Sequence, residues 1–159
     1  MSLDALWVAI EQIPVARAIR ATGQLFPWIE SVHVLAITLV VGSIGIMDLR
    51  LLGLGLRNTS VAQLARDAQP WMTGSLIVMI LSGVSLYTSE ATKCYQSFAF
   101  WIKISSLILV MIFTYTVRRK VALDDERHVR PLASKSVALV SVGLWFAVAW
   151  GGRWIGFGG

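Results

Sequence analysis

The sequence predicts an all-α integral membrane protein, a four-helix transmembrane bundle with an N-terminal amphipathic helix at the membrane interface. Two observations predict it. The chain is 56% hydrophobic and 14% charged, whereas about a quarter of a soluble domain is charged. The missing charges leave four apolar runs, about 28–52, 71–89, 98–117 and 136–157, and each approaches or exceeds the roughly 20 residues of a bilayer crossing. These runs fill most of residues 1–159, so the chain reads as a single transmembrane domain.

Residues 2–20 read as the amphipathic helix. Ser2 or Asp4 is placed to cap it, and Leu6, Ile10 and Ile13 recur at helical spacing. Pro14 is expected to kink it or end its first half. The apolar face and Trp7 suit the interface; the alternative seat is across the mouth of the bundle. Acids at Asp4 and Glu11, no basic start and no long apolar centre distinguish this segment from a signal peptide.

Pro27 stands at a good first helical position and opens span one, WIESVHVLAITLVVGSIGIMDLRLLGLG. In the polar connection LRNTSVAQLARDAQP, Thr59 or Ser60 is placed to cap a short helix ending at Ala68. Pro70 is expected to open span two. A short loop, ATKCYQS, leads to span three, FAFWIKISSLILVMIFTYTV, and the charged loop RRKVALDDERHVRPLASK leads to span four.

The charges set an expected orientation. Arg50, Arg57 and Arg66 mark the connection after span one, and Arg118, Arg119, Lys120, Arg127, Arg130 and Lys135 the one after span three. The opposite side has Arg17, Arg20 and Lys93. The positive-inside rule places both connections in the cytoplasm and both termini outside, as in a bacterial inner membrane. Trp28, Trp71, Trp101 and Trp154 sit near span ends, as an aromatic belt requires. The net charge of +5 is spread through short connections, which points to anionic lipid rather than nucleic acid. One cysteine, Cys94, forms no internal disulfide. Hydrolase motifs and glycine-rich nucleotide loops are absent from the sequence.

Ionisable residues inside spans are costly and need a reason. Glu30, His33, Lys103 and Arg153 come from three spans, and all lie toward the outer ends. Glu30 and His33 share a helix face. A neutral imidazole in an apolar run still needs a hydrogen-bond partner, so a structural His33 bonded to Glu30 or another helix is one reading. The other is a ligand site. Imidazole is a common axial ligand of haem iron, and a bundle interior is a normal cofactor seat. In that reading His33 binds a b-type haem near the outer leaflet, and Lys103 and Arg153 pair with its propionates. Glu30 accepts the other imidazole N–H. Met72 is the candidate second ligand, with a five-coordinate iron as the alternative. Small residues Gly42, Gly45, Gly74, Gly83, Ser82, Ser105 and Ser106 admit close helix packing or a flat macrocycle. Asp48 and Arg50 are two apart, so each is expected to pair with another span or with lipid phosphate. His128 reads as a solvated loop residue.

The expected function is therefore a haem-binding membrane protein with a redox or electron-transfer role and no catalytic residue assigned. The alternatives are a structural or partner-binding subunit, including a homo-oligomer, and a small-solute transporter.

Two stretches carry a resemblance. His33, Gly42 and Arg50 in HVLAITLVVGSIGIMDLR, with Trp101 and Lys103 in FWIKISSLILV, resemble the pattern of HemJ-type membrane proteins, which are linked to protoporphyrinogen oxidation. That resemblance implies haem binding and activity roles for His33 and Lys103. The copper-resistance D (CopD) membrane proteins are similar in their four-helix layout. Taken whole, with DLRLLGLG, PWMTGSL, FWIK and GRWI, the chain looks most like an uncharacterised bacterial family of small four-span proteins.

Overall fold

The computed structural model describes residues 3–55, 58–124 and 131–155. The N-terminal segment forms two helices, α1 (Leu3–Glu11) and α2 (Pro14–Ala21), with Pro14 opening the second. Proline has no N–H to give the preceding turn, so the chain breaks there. The cap expected at Ser2 lies outside the described residues, and Asp4 is already within α1.

These two helices form a strap across one end of the bundle, the second of the two seats the sequence left open. Trp7 stacks on Tyr95 with centroids 4.9 Å apart and meets Tyr87 edge-on at 6.1 Å. Glu11 Oε1 accepts the Thr92 N–H at 2.8 Å, and Arg20 donates to Ser89 O at 3.1 Å. Leu6, Val8 and Val15 stay exposed on the outer side, the face an interfacial helix presents to lipid.

Four helices are long and apolar enough to cross a membrane. The first is α3 (Leu25–Leu51), of 27 residues, about 40 Å at 1.5 Å per residue. It ends because Gly53 adopts φ +81°, a conformation costly for residues with a Cβ. Leu54 N–H then bonds Leu49 O at 2.9 Å and Gly53 N–H bonds Arg50 O at 3.0 Å, closing a Schellman motif. Its buried residues, His33, Ala36, Val40, Ile44, Met47, Asp48 and Leu51, recur every three or four positions, so one stripe faces the other helices.

The second span, α4 (Val61–Ser89), is longer than the sequence implied. Ser60 caps it as expected, with Oγ accepting the Gln63 N–H at 3.1 Å. The helix then runs through Pro70 instead of restarting there. Inside a bundle, neighbouring groups and local adjustments satisfy the backbone a proline frees. The segment read as a loop holds a short helix, α5 (Ala91–Gln96).

Span three begins as α6 (Phe98–Phe113), passes through a π-helical turn at Thr114–Arg118 and continues as α7 (Arg119–Asp124). The π turn inserts one residue per turn, and Thr114 and Arg118 are both buried on it. Span four, α8 (Pro131–Ile155), starts at Pro131, earlier than the expected 136.

The spans pack mainly as α3 on α4 and α6 on α8. Ala36, Val40, Ile44, Met72, Leu76, Met79, Val110, Trp145 and Val148 form the central core. Large apolar side chains point outward, and Trp28, near the start of α3, is 68% exposed, as a lipid-facing belt requires; Trp71, equally exposed, lies ten residues inside α4. Gly42, Gly45 and Gly74, expected at tight helix contacts, instead border open space. The close contacts occur at Gly83 and Gly151.

Candidate functional site

At the end beneath the strap, α3 and α4 place His33 Nδ1 2.9 Å from Ser82 Oγ. Ser82 has one hydroxyl proton, and it points to Val78 O at 2.6 Å, with Met79 O at 3.2 Å. His33 Nδ1–H is then the donor to Ser82 Oγ, which makes Nε2 the unprotonated nitrogen of a neutral ring. Gly83 makes room for the ring: a Cβ there would lie 3.0 Å from His33 Cε1.

Lys103 approaches from α6. Its N and Cβ would lie 3.1 Å from a Cβ on Gly151 of α8, and its ammonium end runs past Gly152. No carboxylate pairs with it among the described residues. His33, Ser82 and Gly83 thus meet between α3 and α4, and Lys103 packs against α8 at the same end of the bundle.

The other expected site residues behave differently. Glu30 is exposed on α3 and makes no bond to His33, whose Nδ1 partner is Ser82. Arg153 is exposed on α8. Met72 is part of the central core with Val40 and Ile44. It precedes Ser82 by ten residues on α4, about 15 Å along the axis, too far to share an iron with His33. The reason is chain direction: α4 runs antiparallel to α3, so its start is level with the end of α3. His128 lies outside the described residues. No group of three His, Cys, Asp or Glu able to hold a metal exists among the described residues, so a metal at this end would rest on His33 and non-protein ligands.

A second polar centre lies near the far end of α3. Arg118 Nε donates to Asp48 Oδ1 at 2.9 Å, and its Nη2 donates to Ile44 O at 3.0 Å. The side chains are 3% and 2% exposed, so the pair is removed from lipid and water alike. Arg50, by contrast, donates to Thr59 O at 3.0 Å and steadies the connection to α4. In the sequence Arg118 reads as the first residue of the charged loop RRKVALDDERHVRPLASK. The signal that could have found it was Asp48 itself, a carboxylate inside a span that needs a cation at its own depth.

The mouth above His33 is also charged. The Thr92 backbone N–H, followed by the Thr92 hydroxyl and Arg20, holds the Glu11 carboxyl below its ordinary value despite partial burial. Burial, with the Glu90 carboxylate, pushes the Cys94 thiol above its ordinary value.

Fold and site together define a four-helix membrane protein with a buried imidazole and a lysine at one end. The chain belongs to the Family of unknown function (DUF6644), which it matches over residues 9–158. No curated protein and no solved structure matches it, and no comparison returned a HemJ-type or CopD protein.

Proposed function

We propose that this protein binds a b-type haem through His33 and serves a redox or electron-transfer role in a bacterial inner membrane. The observation that supports it most is a buried imidazole tied at Nδ1 to Ser82, with Lys103, which has no carboxylate partner among the described residues, at the same end of the bundle. A cation in an apolar setting favours an anionic ligand, and an imidazole whose Nε2 is unprotonated can ligate a metal. Haem propionates and iron supply both.

The chain's own residues have distinct tasks in this reading. Ser82 fixes the imidazole tautomer, as groups behind a ligating histidine commonly do. Gly83 keeps the ring seat open. Lys103 offsets propionate charge, and Arg153 is the further cation on α8. Glu30 has no part in orienting the ring. The group would supply reversible one-electron chemistry at the end beneath the strap. The charge bias of the connections puts that end, and both termini, outside the cytoplasm.

The test is the absorption spectrum of protein purified from haem-replete cells. A Soret band that His33→Ala abolishes is expected. A colourless protein would overturn haem binding and favour a structural or partner-binding subunit. The transporter reading has less support, since the described spans are continuous helices and broken helices near the midplane mark many transporters.

A further inference from the structure

Deep in the bundle, Trp145 Nε1 and Thr114 Oγ1 are buried and make no hydrogen bond. Their residues are 7% and 6% exposed. Both line one small cavity of about 10 Å³ between the spans, together with Tyr115 and aliphatic or methionine side chains. Thr114 stands apart from its neighbours in kind. Thr38 and Thr116 give their hydroxyl protons to the carbonyl one turn back, the usual arrangement for a helical threonine. Thr114, at the start of the π turn, does not.

Two unpaired polar atoms on residues that line one cavity call for an occupant that can donate and accept. The volume is at the lower limit for a single water and excludes anything larger. Tyr115, whose hydroxyl meets Thr73 only at 3.5 Å, stands at the same wall as a third polar group. We infer that the cavity binds one ordered water, which accepts the Trp145 indole N–H and bonds Thr114 Oγ1.

This site extends the Asp48–Arg118 centre inward. Thr114 is one turn before Arg118 on the same helix, and Ser141, buried near Asp48, is one turn before Trp145 on α8. Polar groups therefore continue from the ion pair to the middle of the bundle. Beyond the cavity the apolar core, including Met79 and Val148, separates them from His33. The inference is independent of haem binding.

The test uses full-length protein with ¹⁵N-labelled tryptophan in lipid nanodiscs. Trp145→Phe assigns the indole resonance by its disappearance. The wild-type Trp145 N–H should show a direct cross-peak to long-lived water, and Thr114→Val should remove it or weaken it severalfold. Absence of that cross-peak in the wild type would overturn the inference. An unchanged cross-peak in a folded Thr114→Val protein would overturn the bridge to Thr114. If that variant fails to fold, the wild-type spectrum alone decides.

Discussion

Arg118 reaches across the bundle to Asp48, 70 residues away in the chain, and holds its carboxylate at 2.9 Å where neither side chain meets solvent. The π turn at Thr114–Arg118 precedes this contact and ends on the arginine itself. A register shift of one residue there aims a side chain inward that an uninterrupted α-helix would carry elsewhere.

Removing one partner of this pair leaves an uncompensated buried charge. Asp48→Ala is expected to destabilise the protein by about 3–5 kcal/mol. The double variant Asp48→Leu with Arg118→Met should lose much less, since it removes both charges. Reversible unfolding in mixed micelles, read by tryptophan fluorescence, measures both. Equal losses in the single and double variants would show that the cost does not come from an uncompensated buried charge.

The glycines divide by what surrounds them. Gly83→Ala puts a methyl 3.0 Å from His33 Cε1, and the crowding is expected to cost about 1–3 kcal/mol and to disturb the His33–Ser82 bond. Gly42→Ala meets nothing within 4 Å and should be neutral or stabilising by about 0.5–1 kcal/mol. Thermal unfolding ranks the two, and the opposite order would contradict the packing.

Lys103→Met keeps side-chain length and removes the charge at the His33 end of the bundle. If haem is bound, its spectrum or reduction potential should shift while the fold persists. A lowered melting temperature with no spectral change would instead make Lys103 a packing residue between α6 and α8.

The strap should respond to acid. The Glu11 carboxyl is held below its ordinary value of 4.5, first by the Thr92 backbone N–H and also by Arg20. A depressed carboxyl contributes stability that is fully present above its unfolded value and lost as pH falls through its folded value. Contact of α1 with the bundle should therefore hold at pH 6 and loosen as the pH is taken below the ordinary carboxyl value of 4.5, seen as a change in fluorescence that Trp7→Phe removes. Glu11→Gln should weaken the strap at neutral pH.

Orientation is testable with one cysteine. In a Cys94→Ser background, Asp125→Cys should resist impermeant maleimide added to intact cells and react after lysis. Labelling of intact cells would reverse the proposed sidedness.

Legible in the residues alone are the helical class, four helices long and apolar enough to cross a membrane, and the break at Pro14. Those depend on local quantities: run length, apolar content, and a backbone without an N–H. The sequence also marked His33 and Lys103, because a polar group in an apolar run is costly wherever the helix packs. Partnership was decided only by tertiary structure. Whether His33 meets Glu30 or Ser82, whether Asp48 meets Arg50 or Arg118, and how far Met72 lies from the imidazole depend on helix direction, rotation and register. These are set by side-chain packing between distant segments, and the π turn that turns Arg118 inward is part of that packing. Continuity of α4 through Pro70 belongs to the same group, since neighbouring helices let the bundle tolerate a residue that would end a helix in water.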